Sequence, residues 1–80
     1  MGFEKPVYII GCKYQQFSPT IDYYIGDGVY KYGGEKYAVT ETIIDKAKRY
    51  SSEARAQNAL AKLEMSCVNI DFPEILEIRE

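Results

Sequence analysis

Between Ser51 and Cys67 the chain reads SSEARAQNALAKLEMSC, its one stretch with an unbroken helical period. Ala56, Leu60, Leu63 and Cys67 recur at steps of four, three and four, the spacing that lines up side chains on one face of a helix. Such a stripe needs a surface to cover it. The spacing predicts a helix about 25 Å long at 1.5 Å per residue. Ser51 or Ser52 serves as its cap, Glu53 suits its positive end, and Asp71-Phe72-Pro73 prevents its continuation.

The remaining segments read as a sheet for that helix. Pro6 to Tyr14 is rich in β-formers and carries apolar residues at both parities, Val7 and Ile9 on one, Tyr8, Ile10, Cys12 and Tyr14 on the other. That pattern predicts a central strand covered on at least part of both faces. Ile21–Ile25 is a short second strand ending at Gly26-Asp27-Gly28, read as a turn. Val29–Tyr32 and Tyr37–Thr40 form a hairpin. A two-residue turn at Gly33-Gly34 is allowed by the glycines but sets Lys31 opposite Lys36, a like-charge pair. A four-residue loop, with Tyr32 opposite Tyr37 and Tyr30 opposite Val39, avoids this and is the expected register. In either register Tyr30, Tyr32, Tyr37 and Val39 share one face, and Val29, Lys31 and Ala38 the other. Thr42 reads as the cap of a short helix with Asp45 in its first turn and an Asp45–Arg49 pair on its surface. Glu74–Arg79 is the last strand, with the charge and leading proline of an edge. The expected fold is a single α+β domain over residues 1–80: an antiparallel sheet of three to four strands with a short and a long helix, in the order β-β-β-α-α-β.

A chain of eighty residues buries only about 60% of its extended surface, so one core is all it supports. No apolar run approaches the roughly 18 residues of a membrane span. The opening MGFEKPVYIIGCKY lacks the apolar run of a signal peptide, and Pro6 stands where myristoylation expects Ser or Thr. A cytoplasmic protein without membrane association is therefore expected. Cys12 and Cys67 lie in no metal spacing and read as small buried thiols.

The net charge is −2, distributed as −1 over residues 1–35, +2 over 36–65 and −3 over 66–80, without the concentrated positive field usual in nucleic-acid binders. Histidine is absent, which removes the commonest general base and metal ligand and leaves neither cysteine an imidazole to activate it. No catalytic, cofactor-binding or metal-binding set is legible, and no enzyme is expected. Gly26-Asp27-Gly28 and Gly33-Gly34 match no phosphate-binding fingerprint.

Eight tyrosines are the compositional anomaly, and two readings compete for them. In the expected reading, Tyr30, Tyr32 and Tyr37 pack against the small residues Ala54, Ala56, Ala59 and Ala61 of the helix and form core. Left exposed, they make a surface on which bases or a protein partner stack. Tyr23 and Tyr24 are neighbours, so one of the two faces outward. Lys46, Lys48, Arg49, Arg55 and Lys62 read as a solvated face interleaved with Glu41, Asp45, Glu53 and Glu64.

The opening strand, the Tyr- and Gly-rich hairpin, the segment Ala47-x-x-Tyr50-Ser51-Ser52-Glu53-Ala54 and the terminal EILEI strand together resemble short accessory proteins of bacteriophages and prophages. The resemblance covers most of the chain and transfers no functional residue. It implies action by binding a host protein without catalysis. The sequence reading is accordingly a protein-binding module whose partner is a host factor or a second copy of the chain. The alternative is a nucleic-acid binder using the tyrosine sheet with Lys31, Lys36, Arg49 and Arg55. One helix covers one face of such a sheet, so the interaction surface is expected on the other face, at Val29, Lys31 and Ala38, with Tyr23 or Tyr24 as the exposed aromatic.

Overall fold

The computed structural model of the chain describes residues 5–13 and 15–79. Four strands, β1 (Pro6–Cys12), β2 (Asp22–Tyr32), β3 (Glu35–Glu41) and β4 (Glu74–Arg79), form one antiparallel sheet in the order β3-β2-β1-β4. One α-helix, α1 (Glu53–Ser66), lies across one face against β1, β3 and β4. The expected α+β class and antiparallel sheet are present, but the expected short helix is a single 3-10 turn at Ile44–Lys46. Its cap residue is Ile43, with no side-chain cap bond, where Thr42 was expected. The backbone goes extended at Ala47, with φ −62° and ψ 140°, which ends the turn, and the Arg49 guanidinium donates to the carbonyls of Ile44, Asp45 and Ala47.

The helix forms as its stripe requires. Ser52 caps it by accepting from the Arg55 amide at 3.2 Å. Ala56, Leu63 and Cys67 are buried and Leu60 is half-buried. Opposite them stand Ile10 and Ala38, with Tyr24, Tyr50, Ala59 and Ile70 packed around the cluster. β1 is the central strand its two-parity pattern called for, since Ile9 and Ile10 face opposite ways and both are fully buried. On the Ile9 side Gly11 makes room: a Cβ there would stand 2.8 Å from Ile21 Cγ2, with Leu76 and Tyr23 next. Tyr14, expected in this strand, lies outside the described residues.

The glycines of Gly26-Asp27-Gly28 do not turn the chain back. They sit inside β2, where the pairing with β3 shifts between Tyr24 and Val29. Both have positive φ, 82° and 89°, the backbone region glycine enters at little cost. The two strands expected on either side of these glycines are thus one bulged strand. β1 meets β2 only at Gly11↔Tyr23 and Cys12↔Asp22. Past that point an extended segment takes the place of β2: Tyr50 exchanges both main-chain bonds with Tyr8, and the Lys48 amide donates to the Tyr24 carbonyl.

The hairpin adopts the two-residue turn, with Tyr32↔Glu35, Lys31↔Lys36, Tyr30↔Tyr37 and Val29↔Ala38 opposed. The four-residue register is overturned. Gly33 and Gly34 both have positive φ, 61° and 84°, the requirement of a turn whose twist matches the strands. Lys31 and Lys36 are exposed, where solvent screens their repulsion. The register brings Tyr30 and Tyr37 into a stack with ring centroids 5.4 Å apart and planes 18° from parallel.

Candidate functional site

Strand alternation decides which residues the helix covers. Ala38 is 1% exposed and packs with Ile10, Leu63 and Cys67, so its partner Val29, together with Lys31, Lys36 and Thr40, belongs to the helix side. Tyr30, Tyr32 and Tyr37 belong to the other side, and Tyr23, paired with Glu41, joins them. The expected assignment of faces is thus reversed. Ala38 is no interaction residue, and the tyrosines expected in the core stand out of it, with Tyr30 51% and Tyr32 75% exposed. An alanine fits beneath the helix where no tyrosine ring would. Of the two adjacent tyrosines, Tyr24 packs on the helix cluster and Tyr23 takes the open face. Val29 and Lys31 remain exposed because the helix does not reach that far along the hairpin.

What anchors the hairpin is a side chain that sequence reasoning missed. Asn69 lies just past α1, and its amide stands in for a neighbouring peptide. Its Oδ1 accepts from the Ala38 amide at 2.8 Å and its Nδ2 donates to the Ala38 carbonyl at 2.9 Å. The Val68 amide donates to the Lys36 carbonyl beside it. The outer edge of β3 is thereby closed. Because both Ala38 main-chain groups point to Asn69, Val29↔Ala38 is a pair without mutual hydrogen bonds. The Val29 and Lys31 main-chain groups consequently point out of the opposite edge, along which no strand of the described residues is paired. From Val29 to Lys36 every residue is exposed.

A second feature lies on the helix side. A cleft of about 670 Å³ opens between α1 and the segment Lys48–Ser51. Lys48 and Arg49 line it from the segment, Arg55 and Lys62 from the helix, and none of the described lining residues is acidic. Tyr24 and Tyr50 lie along it. Burial pushes the Tyr50 phenol above its ordinary range, with Tyr24 adding to the shift. The even mixture of charges expected over residues 41–64 is therefore sorted in space. Lys46 pairs with Glu41 at 3.4 Å, and the other four basic residues of that set share the cleft. The helical signal was present: Arg55, Ala59, Lys62 and Ser66 repeat the four-three-four period of the apolar stripe one residue earlier.

Cys12 and Cys67 are free and buried. The Cys12 thiol donates toward the carbonyls of Asp22 and Asn69. Burial, reinforced by the Asp22 and Asp71 carboxylates, pushes it up to about 11, which keeps it protonated and a poor nucleophile at neutral pH. No group of three or more metal-capable side chains occurs among the described residues, and no described helix is long and apolar enough to cross a membrane.

Fold and surface together define a small antiparallel α+β domain with one open hairpin and one basic cleft. No family model, curated protein or solved structure matches the chain.

Proposed function

We propose that the protein is a non-catalytic cytoplasmic binding module, of the phage accessory kind, that engages a protein partner through the open end of the β2–β3 hairpin. The observation that carries this reading is the coincidence at one place of a continuous exposed run, Val29–Lys36, a stacked tyrosine pair and an unpaired strand edge. Tyrosine supplies large contact area at low entropic cost and is enriched at protein interfaces. An open edge offers a partner main-chain hydrogen bonds by strand addition. Within the hairpin, closure of the β3 edge by Asn69 leaves the β2 edge as the one a partner strand would take. Lys31 on that edge discourages indiscriminate pairing with other strands.

The test is a Tyr30→Ser, Tyr32→Ser double variant beside the parent, after thermal melts show that both fold. Each serves as bait in the host's soluble extract, and each is sedimented over a range of concentrations. A protein retained by the parent and lost by the variant supports a host partner. Concentration-dependent dimerisation of the parent alone supports a second copy. Equal behaviour of parent and variant in both experiments removes the hairpin as the binding surface.

A further inference from the structure

We infer that the basic cleft between α1 and Lys48–Ser51 is a second binding site, independent of the hairpin, for a nucleotide-type anion carrying two or more successive phosphates. Its volume, about 670 Å³, falls within the range of small-molecule sites, roughly 300–1,000 Å³. Lys48, Arg55 and Lys62 make no ion pair among the described residues. Gathered cations without a counter-charge repel one another, and an anion relieves that repulsion.

The cations are also positioned. The Lys48 stem fills the space over Gly26, where a Cβ would stand 2.7 Å from Lys48 Cδ, and its Nζ sits 5.3 Å from the Tyr50 ring centroid. Arg49 is fixed by its three carbonyl bonds. Arg55 and Lys62 project from the helix seven residues apart, about 10 Å along its axis at 1.5 Å per residue. Two cations spaced this way along the helix suit a chain of phosphates or phosphodiesters better than a single inorganic phosphate. Tyr24 and Tyr50 provide aromatic rings beside the charges, the combination that single-strand nucleic-acid grooves use. Successive nucleotide phosphates come from a nucleoside triphosphate or from a single strand. Because the whole chain carries −2, binding of such anions reports this cleft and not a generally basic surface.

The probes are ATP, a fluorescein-labelled fifteen-nucleotide oligothymidylate, and polyglutamate as a phosphate-free polyanion, titrated at low salt with amide NMR shifts as readout. The expected result is saturable binding of one or both nucleotide probes, shifts confined to Tyr24 and residues 48–51 and 55–66, and weakening with salt. Arg55→Gln, Lys62→Gln should lower affinity about tenfold or more, the scale set by losing two phosphate contacts. Arg79→Gln, with half that charge change on β4, should leave it unaltered. Preference for ATP assigns the site to a free nucleotide, and preference for the oligonucleotide to a strand. Lys62→Gln alone, at an exposed position, serves if the double variant melts early. Failure of both nucleotide probes to bind, equal binding of polyglutamate, or an equal loss in Arg79→Gln overturns the inference.

Discussion

Removing the Asn69 amide should be among the most damaging single changes in the protein. Asn69→Ala deletes two hydrogen bonds, at 2.8 and 2.9 Å, to the Ala38 main chain, and Ala38 is 1% exposed. A neutral hydrogen bond contributes about 0.5–1.5 kcal/mol net, and each buried group left without a partner costs about 1–3 kcal/mol. Water reaching the edge of β3 offsets part of the loss, so a total of about 2–4 kcal/mol is expected. An eighty-residue domain has only about 4–12 kcal/mol of stability. With a urea slope near the lower end of the usual range, about 1 kcal/mol per molar, the midpoint should fall by about 2 M or more. Asn69→Asp separates the two bonds. Its carboxylate still accepts from the Ala38 amide but sets negative charge against the Ala38 carbonyl. The protonated form is then favoured in the folded state, so this variant should gain on the parent as pH falls through the carboxyl range and lose again as pH rises. The assay is equilibrium urea unfolding followed by circular dichroism at several pH values. An unfolding free energy for Asn69→Ala within about 0.5 kcal/mol of the parent, the scatter of ordinary surface changes, would refute the edge-closing role.

Three further outcomes are expected. Leu63→Ala should cost about 2–5 kcal/mol, and Leu60→Ala less, because Leu63 is 6% exposed and Leu60 only half-buried; thermal melts reversing that order would misplace the helix. Gly26→Ala should destabilise, since the position combines φ of 82° with a Cβ 2.7 Å from the Lys48 stem, whereas Gly34→Asn, at a positive-φ turn with open space around it, should be nearly neutral in the same melts. The Cys12 thiol, held up at about 11, should alkylate slowly at pH 8 in the folded protein and quickly in denaturant. The raised value favours the folded state below the unfolded thiol's range, a contribution lost as pH climbs from about 9 to about 11. Cys12→Ala should flatten that part of the stability profile, and an unchanged profile would show that the thiol does not contribute to it.

What was legible in the chain follows the range of the interactions involved. The helix, its Ser52 cap and the central strand rest on periodicity and on neighbours a few residues away, and they stand where the pattern put them. The hairpin register turned on a local contest, a like-charge pair against two glycines, and the backbone preference outweighed a repulsion that solvent screens. Gly26 and Gly28 carry the same signal in a bulge as in a turn, so the continuity of β2 was hidden. The reversal of faces had a different source. Ala38 is covered by residues from Ile10 to Cys67, and Asn69 bonds it across 31 positions, a relation no local pattern contains. The basic cleft stands between these cases. Its helical half was readable as a stripe, and its other half depended on Tyr50 docking against Tyr8.

The claim that the hairpin tyrosines face outward for a partner is tested most directly by site-resolved nitration, in the free protein and in its complex. Tyr30 and Tyr32, at 51% and 75% exposure, should be modified first in the free protein. Tyr24 and Tyr50, half-buried along the cleft, should lag behind them. In the complex Tyr30 and Tyr32 should become protected while the cleft tyrosines keep their free-state rates. Unreactive Tyr32 in the free protein would contradict the face assignment, and unchanged Tyr30 and Tyr32 rates in the complex would contradict binding through the hairpin.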